Sequence, residues 1–279
     1  MTAPDEEDID DLEESDDSDE ESDEEEIVAG DDIDTRIGTA DLPDRMDRAK
    51  YFKSLTYLEM SGMFAGPLKP SVIDKWAAST PKGTLGIVAP WVLTHRKPPK
   101  AEKLWQSDNS VGDFRSSSPG KVALAALADA VGKLGAAHAI FRSPPLFAAS
   151  QANRDALAKF FGEFATEEAV GAPRVWIPDG IWDVRTAVKL ANELGVLCAF
   201  DPLVRDPGQP PEVYYDLGVP ALFLRITGLG RSGPIRPERL EDLVMLLEHY
   251  EDTPATVVFE SPSKWQDARN LRKVLASEI

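Results

Sequence analysis

Eight short apolar segments recur along this chain, and their spacing constrains the fold more than any other feature. Several are apolar almost without interruption, as strands buried on both faces of a parallel sheet are. The segments are Arg36–Thr39, Thr56–Met60, Thr84–Ala89, Ala136–Phe141, Arg174–Ile177, Val196–Phe200, Ala221–Ile226 and Thr256–Phe259. Helical patterns separate most of them, near residues 44–54, 71–79, 121–134, 151–165, 183–194, 238–250 and 263–277. Residues 202–219 are rich in proline and glycine and predict at most a short helix.

This alternation predicts an α/β fold with one large domain over residues 36–279. Eight strands with about as many crossovers, over about 245 residues, are typical of a TIM-like (β/α)8 barrel. A doubly wound open sheet is the alternative, because periodicity alone does not show whether the sheet closes.

The charge of the chain is concentrated at one end. Residues 1–34 hold 20 acidic residues and no Lys or Arg, whereas the whole chain has 49 acidic and 30 basic residues, which leaves the remainder near +1. Like-charge repulsion and few apolar residues predict that residues 1–34 form a disordered acidic tail. The tail serves either solubility or binding to a basic surface, on a partner protein or on the body.

Composition excludes several classes of protein. The single cysteine, Cys198, excludes an internal disulfide framework and fits the cytoplasm. The acidic N-terminus does not resemble a signal peptide, and no apolar run reaches membrane-spanning length, so we expect no membrane association. A body near +1 lacks the basic surface that nucleic-acid binding requires.

No cofactor is indicated by the sequence, so the cofactor stays unknown. Three histidines and one cysteine without ligand spacing argue against a zinc site, and we predict no metal. A carboxylate set of Glu59, Asp201 and Glu260 for Mg²⁺ or Mn²⁺ stays open.

Four residues form the predicted catalytic set, because a barrel carries its site at the carboxyl ends of the strands. Glu59 and Arg225 lie inside apolar strands, where each charge needs a partner or a ligand. They neutralise each other or Asp201 as a structural ion pair, or Arg225 holds an anionic or carbonyl oxygen while Glu59 or Asp201 acts as a base. His95, after the third strand, is either a general acid or base or a ligand contact, or it is an exposed or hydrogen-bonded loop histidine.

A second group near the strand ends is predicted to contact the ligand. Its members are Trp91, Arg142, Asp179, Trp182, Thr227, Gly228 and Glu260. The tryptophans, with Trp105, either stack on a sugar or base or pack in the core. The long, basic and aromatic segment 90–120 is typical of a lid, a binding loop or a disordered segment.

Gly228 opens a glycine-rich run that formally matches G-x-G-x-x-G at residues 228–233. Pro234 and Pro237 intervene before the next helix and argue against a dinucleotide fingerprint. The position after the seventh strand fits a phosphate-binding loop or a flexible turn, and both interpretations stay open.

An ordered set of short motifs spans the body. They are Arg36-Ile37-Gly38-Thr39, Tyr51-Phe52, Leu58-Glu59, Trp76, Thr80-Pro81, Thr94-His95, Pro144-Pro145, Phe147, Trp182, Asp201-Pro202 and Leu224-Arg225. In this order they resemble the YecE-like family, the domain of unknown function DUF72, with the acidic tail as an N-terminal extension. The resemblance covers about residues 36–279 and implies a TIM-like barrel of unresolved activity, distantly similar in fold to some AP endonucleases and sugar isomerases.

This sequence also departs from the family pattern. After the second strand Glu59 and Phe64 match, but Ser61, Met63 and Ala65 do not. The fifth-strand motif keeps only Trp182, Thr227 replaces the histidine of Arg-x-His-Gly, and Glu260-Ser261 replaces a pair of asparagines. About half of the family's polar residues are therefore changed.

Three functions follow as hypotheses. The first is binding of a small polar or phosphorylated ligand at the carboxyl end of the barrel, with catalysis left open. The second is a non-catalytic interaction scaffold whose acidic tail binds a basic partner. The third, phosphodiester or nucleic-acid processing, depends on fold analogy and is disfavoured by the charge of the body. The substrate, reaction, metal dependence and oligomeric state are not determined by the sequence.

Overall fold

The computed structural model describes residues 35–98, 105–178, 182–204, 208, 210–228 and 233–277. The predicted disordered tail, Asp179 and most of the glycine-rich run lie outside these residues. Within them, no helix combines the length and apolar character that crossing a membrane requires.

Eight parallel strands form the centre of the molecule. They are β1 Thr35–Ala40, β2 Tyr57–Met60, β3 Leu85–Val88, β4 His138–Arg142, β5 Arg174–Ile177, β6 Leu197–Phe200, β7 Leu222–Ile226 and β8 Ala255–Phe259. Each pairs with the next along the chain, and β1 also pairs with β8, so the sheet closes into a barrel. The TIM-like prediction is therefore confirmed, and the open-sheet alternative is wrong.

The helices lie between the strands. They are α1 Arg48–Ser54, α2 Gly62–Ala65, α3 Pro70–Ala77, α4 Trp91–Thr94, α5 Ser118–Leu134, α6 Gln151–Lys159, α7 Glu167–Val170, α8 Val184–Glu193, α9 Pro237–His249 and α10 Lys264–Ser277. A π-helix at Phe160–Phe164 continues α6, and a 3-10 helix at Pro211–Tyr215 is the short helix expected near there. The sequence did not predict α2, α4 and α7, because four residues are too few to show a helical period.

The barrel interior is filled by side chains, with the Tyr57 ring at its centre. Tyr57 Oη lies 3.0 Å from His138 Nδ1. Space for the ring depends on Gly86, where a Cβ would lie 1.9 Å from Tyr57 Oη. Burial, followed by the nearby Arg36 charge, lowers the pKa of His138 to about 4. The interior is therefore a packed core that holds a neutral histidine.

Tyr51 connects the first helix to the first two strands. Asp47 caps α1 by accepting hydrogen bonds from the backbone N–H groups of Ala49 and Lys50. One turn later, the buried Tyr51 Oη accepts from Thr39 N at 2.9 Å and donates to the carbonyl oxygen of Tyr57 at 2.7 Å. A side chain of α1 thus bridges backbone groups of β1 and β2.

Candidate functional site

Arg225 connects two carboxylates at the carboxyl end of the barrel. Its Nε and Nη2 donate to Glu59 Oε2 and Oε1 at 3.1 and 3.0 Å, and its Nη1 donates to Glu260. Because β2 and β7 are not neighbours in the sheet, the bond to Glu59 crosses the barrel interior. Burial lowers the pKa of Arg225, but the carboxylates of Glu59 and Glu260 outweigh it and raise the pKa above its usual value. We call these three residues the Arg225 cluster.

Exposure increases steadily across the Arg225 cluster. The side chains of Glu59, Arg225 and Glu260 are 1%, 6% and 35% exposed, so Glu260 is the member that meets solvent. Two carboxylates against one guanidinium give the cluster a formal charge of −1. A guanidinium has five N–H donors, and the partners among the described residues take three of those of Arg225. Glu260 and Arg225 therefore offer an acceptor and donors side by side.

Asp201 makes a separate connection between the ends of β6 and β7. Its Oδ2 accepts from Thr227 N and Oγ1, both at 2.8 Å, and its Oδ1 accepts from Leu203 N at 2.9 Å. Burial raises the pKa of Asp201, and the hydrogen bonds from Thr227 and Leu203 counteract that effect. The alternative in which Asp201 neutralises Arg225 is not found, because the partners of Arg225 among the described residues are Glu59 and Glu260.

His95 lies in a cleft of about 440 Å³ between the loops that follow β3 and β4. The lining residues of this His95 cleft are His95, Arg96, Lys97, Asp113, Pro144, Pro145, Leu146, Phe147 and Asn153. His95 Nδ1 is 2.8 Å from Thr94 Oγ1, and the ring packs edge-on against Phe64. Burial and the charge of Arg142 lower the pKa of His95 to about 4, against the opposing effect of Asp113. The imidazole is therefore neutral at neutral pH.

A strained turn supports one wall of the His95 cleft. Gly112, Asp113 and Phe114 have φ angles of 82°, 52° and 55°, three consecutive residues in the left-handed region. The backbone N–H groups of Gly112 and Asp113 donate to carbonyl oxygens of Val92 and Thr94, both at 2.9 Å. Phe114 is buried among aromatic rings, and the Asp113 carboxylate accepts from Arg96 Nε. Backbone hydrogen bonds and buried contacts therefore hold residues 112–114, and the lid or binding loop expected for segment 90–120 stays a prediction.

The three tryptophans expected near the ligand are mostly packed into the protein. Trp91 lies on α4 and is 1% exposed, because this helix directs its side chain into the core. Its ring is therefore not accessible for stacking on a ligand. Trp105 is also buried and donates from Nε1 to the Met63 carbonyl oxygen at 3.0 Å. Trp182 is half-buried, packs edge-on against Trp176 and donates to the Phe147 carbonyl oxygen. These contacts favour the core-packing alternative.

The remaining predicted contacts lie at the strand ends. Arg142 ends β4, half-buried, and acts electrostatically on His95. Thr227 is exposed beyond its bonds to Asp201. Gly228 has φ of 67°, and a Cβ there would lie 2.7 Å from Ser261 Cβ, so this position requires glycine. Asp179 lies outside the described residues.

The structure divides the four predicted catalytic residues among three places. Glu59 and Arg225 are bonded together with Glu260, Asp201 binds Thr227, and His95 lines its own cleft. The described part of the chain contains no group of three His, Cys, Asp or Glu residues that could hold a metal ion. The carboxylate set considered for Mg²⁺ is therefore not assembled, since two of its members bind Arg225.

Solved structures of DUF72 proteins have the same fold as this chain. A DUF72 family protein from Enterococcus faecalis gives a TM-score of 0.62 at 14% identity, over 86% of this chain and 97% of its own. A DUF72 family protein from Thermotoga maritima gives 0.57 at 14% identity, over 86% of this chain and 98% of its own. Neither a protein-family model nor a curated protein matches this sequence.

The structural neighbours agree with the motif resemblance described above. The two solved structures described above are DUF72 family proteins, and this chain covers each of them almost completely. The resemblance to the YecE-like (DUF72) family is confirmed in this sense, and at this identity the likeness establishes a shared fold.

Proposed function

We propose that this protein binds a small polar ligand at the carboxyl end of its barrel, next to the Arg225 cluster. The observation that carries the proposal is the bonding of the Arg225 guanidinium to buried Glu59 on one side and partly exposed Glu260 on the other. A buried ion pair is often no more stabilising than apolar residues of the same volume. Its presence at the end of the barrel where such folds bind ligands therefore favours a binding role.

The charge of the Arg225 cluster favours a particular ligand chemistry. A phosphate or carboxylate beside Glu260 would meet a group of net charge −1 and be repelled. A hydroxyl can donate to the Glu260 carboxylate and accept from a remaining N–H of Arg225. We therefore expect a neutral, hydroxyl-rich part of the ligand at this point. The proposal concerns binding and names no reaction.

A ligand screen with paired variants tests this proposal. Sugars, polyols and sugar phosphates are screened by thermal shift, and every hit is measured by calorimetry. Glu260→Gln should weaken a true ligand by about tenfold, since it removes a charged hydrogen-bond acceptor. Glu193→Gln, at an exposed position of α8, is the matched control and should change nothing. The proposal would be refuted if no compound in the screen bound, or if every hit bound Glu260→Gln as tightly as it binds Glu193→Gln.

The acidic segment supports a second proposed function, binding of a basic protein partner. Residues 1–34 carry 20 acidic side chains and no basic ones, on a body whose own charge is near +1. The full chain and a chain beginning at Thr35 are compared as baits for purified basic proteins. Equal recovery of partners by the two baits would contradict it.

We also propose a cytoplasmic location. The only cysteine of the chain, Cys198, is a buried free thiol, and the lack of a second cysteine for an internal disulfide suits a reducing compartment. Fractionation of the native host cell would test the location, and recovery outside the cytoplasm would contradict it.

A further inference from the structure

The His95 cleft has two walls of different chemistry. One wall is formed by His95, Arg96 and Lys97 after β3, and the other by residues 144–147 after β4. At about 440 Å³, its volume is in the range of small-molecule sites, which is roughly 300–1,000 Å³. The Arg225 cluster contributes no residue to this lining. The cleft is therefore a cavity separate from the Arg225 cluster.

The first wall supplies positive charge and oriented donors. The side chain of Arg96 is 71% exposed, and its hydrogen bond to Asp113 is made through Nε. Lys97 is exposed beside it. Arg96 and Lys97 against Asp113 give the lining a net charge of +1, and the half-buried Arg142 lies near enough to act on His95. The wall therefore favours anionic oxygens.

His95 is neutral near neutral pH, and its hydrogen bond to Thr94 determines which ring nitrogen can donate. Among the described residues, its ring bonds only to Thr94, through Nδ1. When the Thr94 hydroxyl donates to Nδ1, the proton of the neutral ring is on Nε2, which becomes a donor for a ligand oxygen.

The second wall is apolar and presents an unusually exposed leucine. Leu146 is 83% exposed and has φ of 65°, a left-handed conformation that is unfavourable for a leucine. Two of the other positive-φ residues, Asp113 and Phe114, support the opposite wall. Backbone strain of this kind is concentrated at binding sites, where the surrounding structure maintains it. Both walls are thus held in strained conformations around one cleft.

We propose that the His95 cleft binds a small organic anion with an apolar body. The anionic oxygens lie against Arg96, Lys97 and His95, and the apolar body packs on Pro144, Pro145 and Leu146. The shared chemistry fits a phosphate monoester or a carboxylate, and the two sources are separated by the probes below. This site goes beyond the proposed ligand of the Arg225 cluster and does not depend on it.

Calorimetry with four probes tests the proposal on the full chain at neutral pH and low salt. The probes are phenyl phosphate, benzoate, inorganic phosphate and benzyl alcohol. We expect phenyl phosphate or benzoate to bind more tightly than both inorganic phosphate and benzyl alcohol, because only the first two offer charge and an apolar body. The tighter of these two identifies the anionic group. Affinity should fall as salt is added, since the charges are exposed.

Variants locate the bound anion. The double variant Arg96→Gln/Lys97→Gln should bind the preferred probe with an affinity at least about tenfold lower. Leu146→Asn should reduce its advantage over inorganic phosphate, and asparagine tolerates this backbone conformation. Lys189→Gln, which removes an exposed charge on α8, should have no effect.

Four results would overturn the proposal. They are no binding of phenyl phosphate or benzoate, unchanged affinity in the double variant, an equal loss in Lys189→Gln, and binding lost in Glu260→Gln. The last result would place the anion at the Arg225 cluster instead.

Discussion

Removing Arg225 should destabilise the fold far more than removing an exposed arginine. Arg225→Met leaves the Glu59 carboxylate, 1% exposed, without the two donors at 3.0 and 3.1 Å. Breaking a buried pair from one side costs about 3–5 kcal/mol, because the remaining charge stays buried. Glu260, 35% exposed, can be hydrated and adds little to this cost. We therefore expect Arg225→Met to lower the free energy of unfolding by an amount near the middle of that range.

Four further variants, one of them the single variant Glu59→Met, make the reasoning testable. Glu59→Gln keeps an acceptor for Arg225 and should cost about 1–3 kcal/mol. The double variant Glu59→Met/Arg225→Met leaves neither member of the pair charged and should cost clearly less than the sum of the two single Met variants. Arg185→Met is the matched control, because its ion pair with Asp216 is 3.4 Å long and largely exposed.

Urea unfolding at neutral pH measures the free energy of unfolding of each variant. The urea midpoint should shift, while the slope of the free energy of unfolding against urea concentration stays constant. The reasoning would be refuted if Arg225→Met lost no more than Arg185→Met, or if the two Met substitutions were additive.

Three other predictions concern the barrel and its loops. The pKa of buried His138 is about 4 in the fold and 6.5 without perturbation, so the stability that the neutral ring provides is retained above pH 6.5. As the pH drops toward 4, the free energy of unfolding should fall by up to about 3 kcal/mol. A His138→Gln variant whose stability depends on pH as the wild type does would contradict this. Gly86→Ala should destabilise by about 1–3 kcal/mol through its clash with the Tyr57 hydroxyl, whereas Gly132→Ala, with open space in α5, should be neutral or stabilising; urea midpoints decide the order. Trp105→Phe leaves the Met63 carbonyl oxygen without its donor and should lower the unfolding free energy by about 1–3 kcal/mol, and an unchanged urea midpoint would argue against it.

The barrel could be predicted because its strands are buried on both faces. The predicted Arg174–Ile177 coincides with β5, and Thr256–Phe259 lies within β8. A continuous apolar run is visible in a sequence without any knowledge of its neighbours. Closure depended on the strand count, which a barrel and an open sheet share, and needed the pairing of β1 with β8.

The candidate site was only partly predictable, for a related reason. Glu59 and Arg225 were recognisable as charges inside apolar strands, and the structure bonds them. The role of Glu260 as the second partner of Arg225 depends on strand register, which the sequence does not display. One wall of the His95 cleft is supported by the turn at residues 112–114, whose positive φ angles the sequence does not display.

The hydroxyl of Tyr51, which bridges β1 and β2, has a consequence for how the ring assembles. Its bonds to Thr39 N and the Tyr57 carbonyl oxygen form only after α1 has docked. The contact between β1 and β2 therefore depends on α1, so hydrogen exchange of the Thr39 amide reports whether α1 is packed against the barrel. In Tyr51→Phe the Thr39 amide has no hydroxyl to donate to and should exchange faster, although α1 can still pack against the barrel.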